Sequence, residues 1–157
     1  MLQVVHHVLL AVAVVKIYIM KKVLVLCTGN SCRSQIAEGY LRYFANGKAL
    51  IYSAGIETHG VNPKAAQVMK EEGIDLSGHT SNHIDEYKDV DFDYVITVCD
   101  HAKESCPYIP TNALKFHYNF PDPAKAHGSE EEIMHQFRAV RQLIRDYCSD
   151  FVNKNLA

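Results

Sequence analysis

From Lys22 onward, short apolar runs rich in β-branched residues alternate with segments whose apolar positions recur every three or four residues. The runs 23–26, 50–53, 94–98 and 114–118 predict four strands. Between the first two, Ile36, Ala37, Tyr40, Leu41 and Phe44 share one helical face. Asn62 as a cap, Pro63 in the first turn and Gly73 as a stop bracket a second helix that turns Ala65, Val68 and Met69 inward. After a Ser129 cap and the acidic trio Glu130, Glu131 and Glu132, the series Ile133, Phe137, Val140, Ile144, Tyr147 and Phe151 predicts a long closing helix. Strands that alternate with helices in this way predict an α/β fold, a parallel sheet with crossover helices.

The first twenty residues follow a different pattern. An unbroken apolar run covers 8–15, then come Lys16, four further apolar residues and the pair Lys21-Lys22. A membrane span needs about twenty apolar residues, and Gln3, His6, His7 and Lys16 interrupt this stretch. A secretory signal would offer Ala11-Val12-Ala13 for cleavage, but no basic residue precedes the apolar run. Met20-Lys21-Lys22 ahead of Val23-Leu24-Val25-Leu26 reads as the natural opening of an α/β domain. Residues 1–19 are therefore expected to be an extension ahead of a single domain at 20–157, with an added strand or helix as the next alternative and an anchor as the last.

Composition narrows the function classes. A chain of 157 residues with 48% hydrophobic and 22% charged positions suits one folded domain. Sixteen basic against eighteen acidic residues leave a net charge of -2, so neither a nucleic-acid nor a membrane partner is expected. Five cysteines are too sparse for a stapled secreted scaffold and odd in number, which points to chemical rather than structural thiols.

The segment Cys27-Thr28-Gly29-Asn30-Ser31-Cys32-Arg33-Ser34 lies between the first strand and the first helix. A loop entering a helix N-terminus turns successive backbone N–H groups into one concavity, which suits a tetrahedral oxyanion and a thiolate at its centre. Thr28, Gly29, Asn30, Ser31, Cys32 and Arg33 would line that cradle, and Cys27 is expected there with a lowered pKa. Gly29 and Asn30 tolerate left-handed backbone, Ser34 can donate its hydroxyl to the thiolate, and the Arg33 fork can grip two oxyanion oxygens. The alternative, a cysteine that merely ends a strand as a small hydrophobe, does not account for the Gly, Asn and Ser inside the loop.

These residues resemble the signature loop of the low-molecular-weight protein tyrosine phosphatase superfamily, and Ser53-Ala54-Gly55 and Asp122-Pro123 fall where that family has them. Within it, Ile56-Glu57-Thr58-His59-Gly60-Val61-Asn62-Pro63 and the pair Cys99 and Cys106 resemble the thioredoxin-coupled arsenate reductases. The resemblance runs from about Lys21 to Phe151. It implies a three-layer α/β sandwich with a four-stranded parallel sheet, and a redox cascade in which Cys27 attacks arsenate, Cys99 expels arsenite and Cys106 completes a disulfide that thioredoxin reduces. It also implies a cytoplasmic monomer that needs no cofactor, with arsenate or phosphate as the bound oxyanion. The family's potassium ligands correspond to Asn30, Glu38, Ser53 and Asn82; an aspartate at the last position binds the ion best, so the site here is expected to be weak.

Spacing adds an independent argument for the cascade. Cys99 ends the third predicted strand, and in a parallel sheet such ends gather on the edge that carries Cys27. Cys106 lies seven residues on, too far along a helix rising about 1.5 Å per residue to bond Cys99 without unwinding. Core thiols or zinc ligands remain alternatives, although zinc pairs usually sit closer together and no second pair exists. Cys32 is expected to be a bystander in the cradle or a partner that protects oxidised Cys27. Cys148 flanks the closing helix's apolar stripe, and His79 and His83 read as surface or hydrogen-bonded histidines.

Asp122, in Phe120-Pro121-Asp122-Pro123, is either a general acid for the departing oxygen or an ordinary turn residue; the resemblance puts catalysis first. Two other functions compete. A phosphatase would form a phosphocysteine at Cys27 and use Asp122 as base for water, but tyrosine phosphatases of this family usually carry aromatic residues where Ala124-Lys125-Ala126 stands. An oxyanion or arsenite sensor would need a partner or DNA surface that the sequence does not show.

Overall fold

The computed structural model describes residues 7–12, 15, 19–105 and 112–157. Its elements, in chain order, are β1 (Lys21–Cys27), α1 (Arg33–Ala45), β2 (Ala49–Gly55), α2 (Pro63–Glu71), β3 (Tyr94–Thr97), α3 (Asp100–Ser105), β4 (Leu114–His117) and α4 (Glu130–Asn155), with short 3₁₀ turns at Ile84–Tyr87 and Pro123–Lys125. All four predicted strands are present, and they form one parallel sheet in the order β2-β1-β3-β4. The register sets Val23 beside Ile51 and Tyr94, and Tyr94 beside Leu114.

Alternation along the strands then defines two faces. On one, Tyr94 and Phe116 meet Phe151 of α4, Ser53 meets Glu38 of α1, and α2 packs against both α1 and α4. On the other, Tyr52 forms an edge-on cluster with Tyr87 and Phe92, and α3 lies against β1 and β3. The sheet is thus covered on both sides, the condition under which parallel strands such as Val23-Leu24-Val25-Leu26 read as continuous apolar runs. The result is a three-layer α/β sandwich.

The helix signals act as the sequence pattern requires. Asn62 Oδ1 accepts from the N–H groups of Lys64 and Ala65, and Gly73 takes a positive φ of 76° just past α2. Ser129 and Glu132 form a reciprocal capping box at the start of α4, worth about 1 kcal/mol. The stripe of α4 is buried at Phe137, Val140, Ile144 and Phe151, whereas Ile133 and Tyr147 are only partly covered. Arg138 pairs with Glu71, Arg141 donates to the Val68 carbonyl, and Lys64 pairs with Glu130, so charged groups fasten α4 to α2 along the rim of the apolar contact.

Residues 7–12 are helical, and Val8, Leu9, Leu10 and Val12 each leave more than half of their surface exposed, at 57, 63, 53 and 61%. The buried core begins at Val23. Among the described residues no helix is long and apolar enough to cross a membrane. A chain beginning at Met20 is expected to unfold within about 4 °C of the full chain, a difference below about 1 kcal/mol. A larger loss in a calorimetric comparison would show that residues 1–19 belong to the core.

Candidate active site

β1 ends at Cys27 and α1 begins at Arg33, so residues 28–32 must reverse the chain at the C-terminal edge of the central strand. Cys32 occupies the cap position of α1 without a side-chain capping bond. The first-turn N–H groups therefore lack the side-chain acceptor that a Ser or Asp cap would supply. Asn30 makes the reversal, with a left-handed φ of 45°. Its amide fans out to three elements: Nδ2 donates to Ser34 Oγ at 3.0 Å and Ser53 Oγ at 2.9 Å, while Oδ1 accepts from the Asn82 N–H at 2.7 Å. Ser34, expected to face the Cys27 thiolate, is fully buried in this network.

Gly29 does not share the left-handed conformation expected for it. Its small size answers a different need, since a Cβ there would lie 2.6 Å from Nδ1 of His59. Residues 55–62 run alongside the loop: the N–H groups of Glu57, His59 and Asn62 donate to the carbonyls of Thr28, Gly29 and Ser31 at 2.9, 3.0 and 2.9 Å. The chain following β2 is thus a wall of the cradle.

The cradle opens into a cavity of about 560 Å³ lined by Cys27, Thr28, Gly29, Ser31, Cys32 and Arg33, with His59, Cys99, Asp122 and Lys125 around them. Arg33 Nη1 donates to the Phe120 carbonyl at 2.9 Å, and Nη2 lies 3.4 Å from Asp122 Oδ2. Its buried Nε has no hydrogen-bond partner among the described residues. A half-used guanidinium beside an uncapped helix start suits an anion with several oxygens. Asp122 also caps the Pro123–Lys125 turn through the Ala124 N–H at 3.1 Å, so the turn and the acid are one device.

Cys27, Cys32, Cys99 and Cys148 are buried thiols. Cys27 and Cys99 line the same cavity as interacting thiols, and Cys99 Sγ lies 3.4 Å from Thr28 Oγ1. The bond from Cys27 brings the Cys99 thiol down to about 5, helped by the Thr28 hydroxyl, the Ala102 N–H and the Arg33 charge, against the cost of burial. Cys27 moves the other way, pushed up by its bond to Cys99 and by burial, although Arg33 and the Thr28 N–H favour its thiolate. The lowered pKa expected for Cys27 alone thus gives way to a pair of thiols that share a proton, with the Arg33 charge favouring the ionised form of either. Cys32 is raised to about 12 by burial and by Asp122, which keeps it neutral. Cys148 is fully buried with Sγ 3.7 Å from the Ala37 carbonyl, a packing position. Cys106 lies outside the described residues.

The four residues matched to a potassium site do not fit a cation in this arrangement. Asn30, Ser53 and Glu38 form a hydrogen-bonded chain, but Arg42 already meets the Glu38 carboxylate at 2.8 Å and the His79 ring lies 3.5 Å from it. The Asn82 side chain turns to Thr80 and Glu86 instead. Among the described residues no cluster of three or more His, Cys, Asp or Glu is placed to hold a metal. His79 Nδ1 donates to Gln35 Oε1 at 3.0 Å, and His83 caps the Ile84–Tyr87 turn, so their four-residue spacing carries no helical meaning. Sequence reasoning missed the Phe120 carbonyl as a partner of Arg33. It also missed the place of His59, although His59 stands inside the Glu57-Thr58-His59-Gly60 string.

A strand, an uncapped helix start, a cysteine and an arginine around one cavity are the parts of an α/β enzyme that handles a tetrahedral oxyanion. The chain belongs to the low molecular weight phosphotyrosine protein phosphatase family, whose model matches residues 22–157. Within that family it is 50% identical over 124 residues to the arsenate reductase of Halalkalibacterium halodurans, covering 79% of this chain and 89% of that protein. The arsenate reductase of Staphylococcus aureus is 46% identical over 134 residues, 85% of this chain and 98% of the relative. A solved arsenate reductase in the phosphate binding state superposes with a TM-score of 0.76 at 33% identity, covering 88% of this chain and all of its own. The Erwinia amylovora tyrosine phosphatase amsI, at 23% identity and a TM-score of 0.71, shares the fold.

Two outcomes follow from this geometry. Cys99→Ser removes the largest influence raising Cys27 and leaves Arg33 and the Thr28 N–H pulling it down, so thiolate absorbance should show Cys27 ionising at lower pH than in the parent; an unchanged or higher midpoint would refute the shared proton. Exchanging sodium for potassium should leave the melting temperature unchanged within about 2 °C, and a marked potassium-specific rise would show that Glu38 and its neighbours rearrange around the ion.

Proposed function

We propose that the protein reduces arsenate to arsenite by a relay of three cysteines and is returned to the dithiol state by thioredoxin. The observation that carries this reading is the second thiol: a hydrolytic phosphatase needs one nucleophile in its cradle, and here Cys99 lines the same cavity as Cys27. The relatives named arsenate reductase support the substrate.

Arsenate enters the cradle and takes the open donors of α1 and Arg33. Cys27 Sγ attacks arsenic as its proton passes to Cys99, and Asp122 protonates the departing oxygen, which leaves as water. The proton on Cys99 moves on to an oxygen of the adduct. Cys99 then attacks Cys27 Sγ: a sulfur–sulfur bond forms, the sulfur–arsenic bond breaks, and the electron pair stays on arsenic. Arsenic falls from the pentavalent to the trivalent state and departs as arsenite while two thiols become a disulfide. Cys106 next attacks Cys99, releasing Cys27 as a thiolate, and thioredoxin reduces the Cys99–Cys106 disulfide by thiol exchange. No metal or flavin enters this electron count. The same Cys27, Arg33 and Asp122 support slow hydrolysis of phosphate monoesters, which requires no electrons.

Cys27→Ser should lower both activities by about three orders of magnitude or more, because a serine hydroxyl does not ionise in this range. Cys106→Ser should complete one reduction and stall as a Cys27–Cys99 disulfide, and Cys99→Ser should stall at the arsenic adduct, while both still hydrolyse an aryl phosphate. Mass-spectrometric thiol mapping after one arsenate addition checks the order; repeated thioredoxin-coupled turnover by either single variant would leave the relay untenable and favour the phosphatase.

A further inference from the structure

The residue after Cys99 is held by a network that the relay itself does not use. Asp100 Oδ1 accepts from His117 Nε2 at 2.7 Å, and Oδ2 accepts from Asn119 Nδ2 at 2.9 Å. His117 is fixed from behind, its Nδ1 lying 2.7 Å from Oγ1 of Thr97, a buried residue of β3. Both oxygens of one carboxylate are thereby tied to the end of β4 and the residues after it.

The backbone around this network continues the sheet. Tyr118 N–H donates to the Thr97 carbonyl at 3.0 Å and Phe120 N–H to the Val98 carbonyl at 3.2 Å, so residues 97–98 and 118–120 are laced together up to Cys99. Beyond that point the support thins. α3 has six residues, fewer than a helix needs to persist by itself. Among its described side chains, His101, Lys103 and Glu104 are exposed and Ala102 is buried. The paired carboxylate at its first position is thus an anchor of α3 to the end of β4.

We propose that Asp100, gripped by His117 and Asn119, is a clasp that keeps Cys99 against Cys27 for the first thiol exchange and must open before α3 unwinds for the second. This deepens the three-cysteine reading and rests on it. The three are positioning residues: they act on the place of Cys99 and on the stability of the segment that follows, and they touch no reacting atom. With the clasp closed, Cys99 Sγ stays beside Thr28 and the Cys27 thiol. With it open, Cys99 can leave the cradle with α3 and meet Cys106.

The test uses full-length Asp100→Ala and, as a milder change, Asn119→Ala. Amide exchange across 100–105 and alkylation of Cys99 by iodoacetamide, mapped by mass spectrometry, should rise about tenfold in Asp100→Ala and less in Asn119→Ala, the scale of a lost hydrogen bond to a charged group. After one arsenate addition, the Cys27–Cys99 disulfide should form more slowly, whereas its conversion to Cys99–Cys106 should not slow. Asp100→Glu, which keeps the charge, should recover part of the first rate. Hydrolysis of an aryl phosphate should stay within about twofold, which a general loss of structure would not permit. Unchanged exchange and alkylation in both variants, or equal slowing of both exchanges, overturns the clasp while leaving the relay standing. If Cys106→Ser forms no Cys27–Cys99 disulfide on arsenate addition, the relay itself falls, and the clasp's role in it falls as well.

Discussion

The left-handed turn at Asn30 is the constraint on which the rest of the site depends. A non-glycine residue at positive φ costs about 1 kcal/mol or more, and here a fully buried amide offsets that cost by using each of its polar atoms. Ser34 belongs to α1, Ser53 to β2 and Asn82 to the loop ahead of β3, so one side chain registers three segments against the loop. The Asn30 carbonyl is taken as well, by Gln35 Nε2 at 2.9 Å. A change at this position would loosen the helix start, the sheet edge and the cradle together.

The fold places reactive groups by a simple topological fact. Strand order β2-β1-β3-β4 sets β1 in the interior, and parallel strands deliver all of their C-terminal ends to one edge. Cys27 follows from β1, the wall 55–62 from β2, Cys99 from β3, and Asn119 to Asp122 from β4. Residues up to 95 positions apart in sequence, Cys27 and Asp122, thus face one cavity. The same convergence makes Cys27 and Cys99 one interacting pair of thiols, and it shares Arg33 between the cradle and the Phe120-Asp122 segment.

Much of this was legible in the chain because local signals governed it. The four strands, the Asn62 and Ser129 caps, and the loop between β1 and α1 each rest on residues within a few positions of one another. The features that escaped are those made by tertiary contact. Gly29 owes its size to His59, thirty residues away; the raised Cys27 thiol owes its state to Cys99; Ser34 answers to Asn30 rather than to the thiolate. Asn82 was legible as a substitution for a charged residue, but the direction of its amide toward Thr80 and Glu86 depended on a turn that no local pattern announces. The Asp100 clasp spans seventeen and nineteen positions to its two partners, beyond the reach of periodicity.

The close approach at Gly55 bears on how the enzyme comes into being during synthesis. A Cβ at this position would lie 2.7 Å from both the Asn30 nitrogen and the Thr28 carbonyl, so the loop and the end of β2 are in contact with no space between them. The cradle therefore has no independent existence as a peptide motif. On a chain emerging from the ribosome, Cys27 precedes β2 by more than twenty residues and β3 by more than sixty, and until both strands have added to β1 it is an ordinary thiol without oriented donors or a proton-sharing neighbour. The surroundings of Cys27 are thus a late property of the folded domain, and the nascent polypeptide passes through its most exposed stage before they assemble.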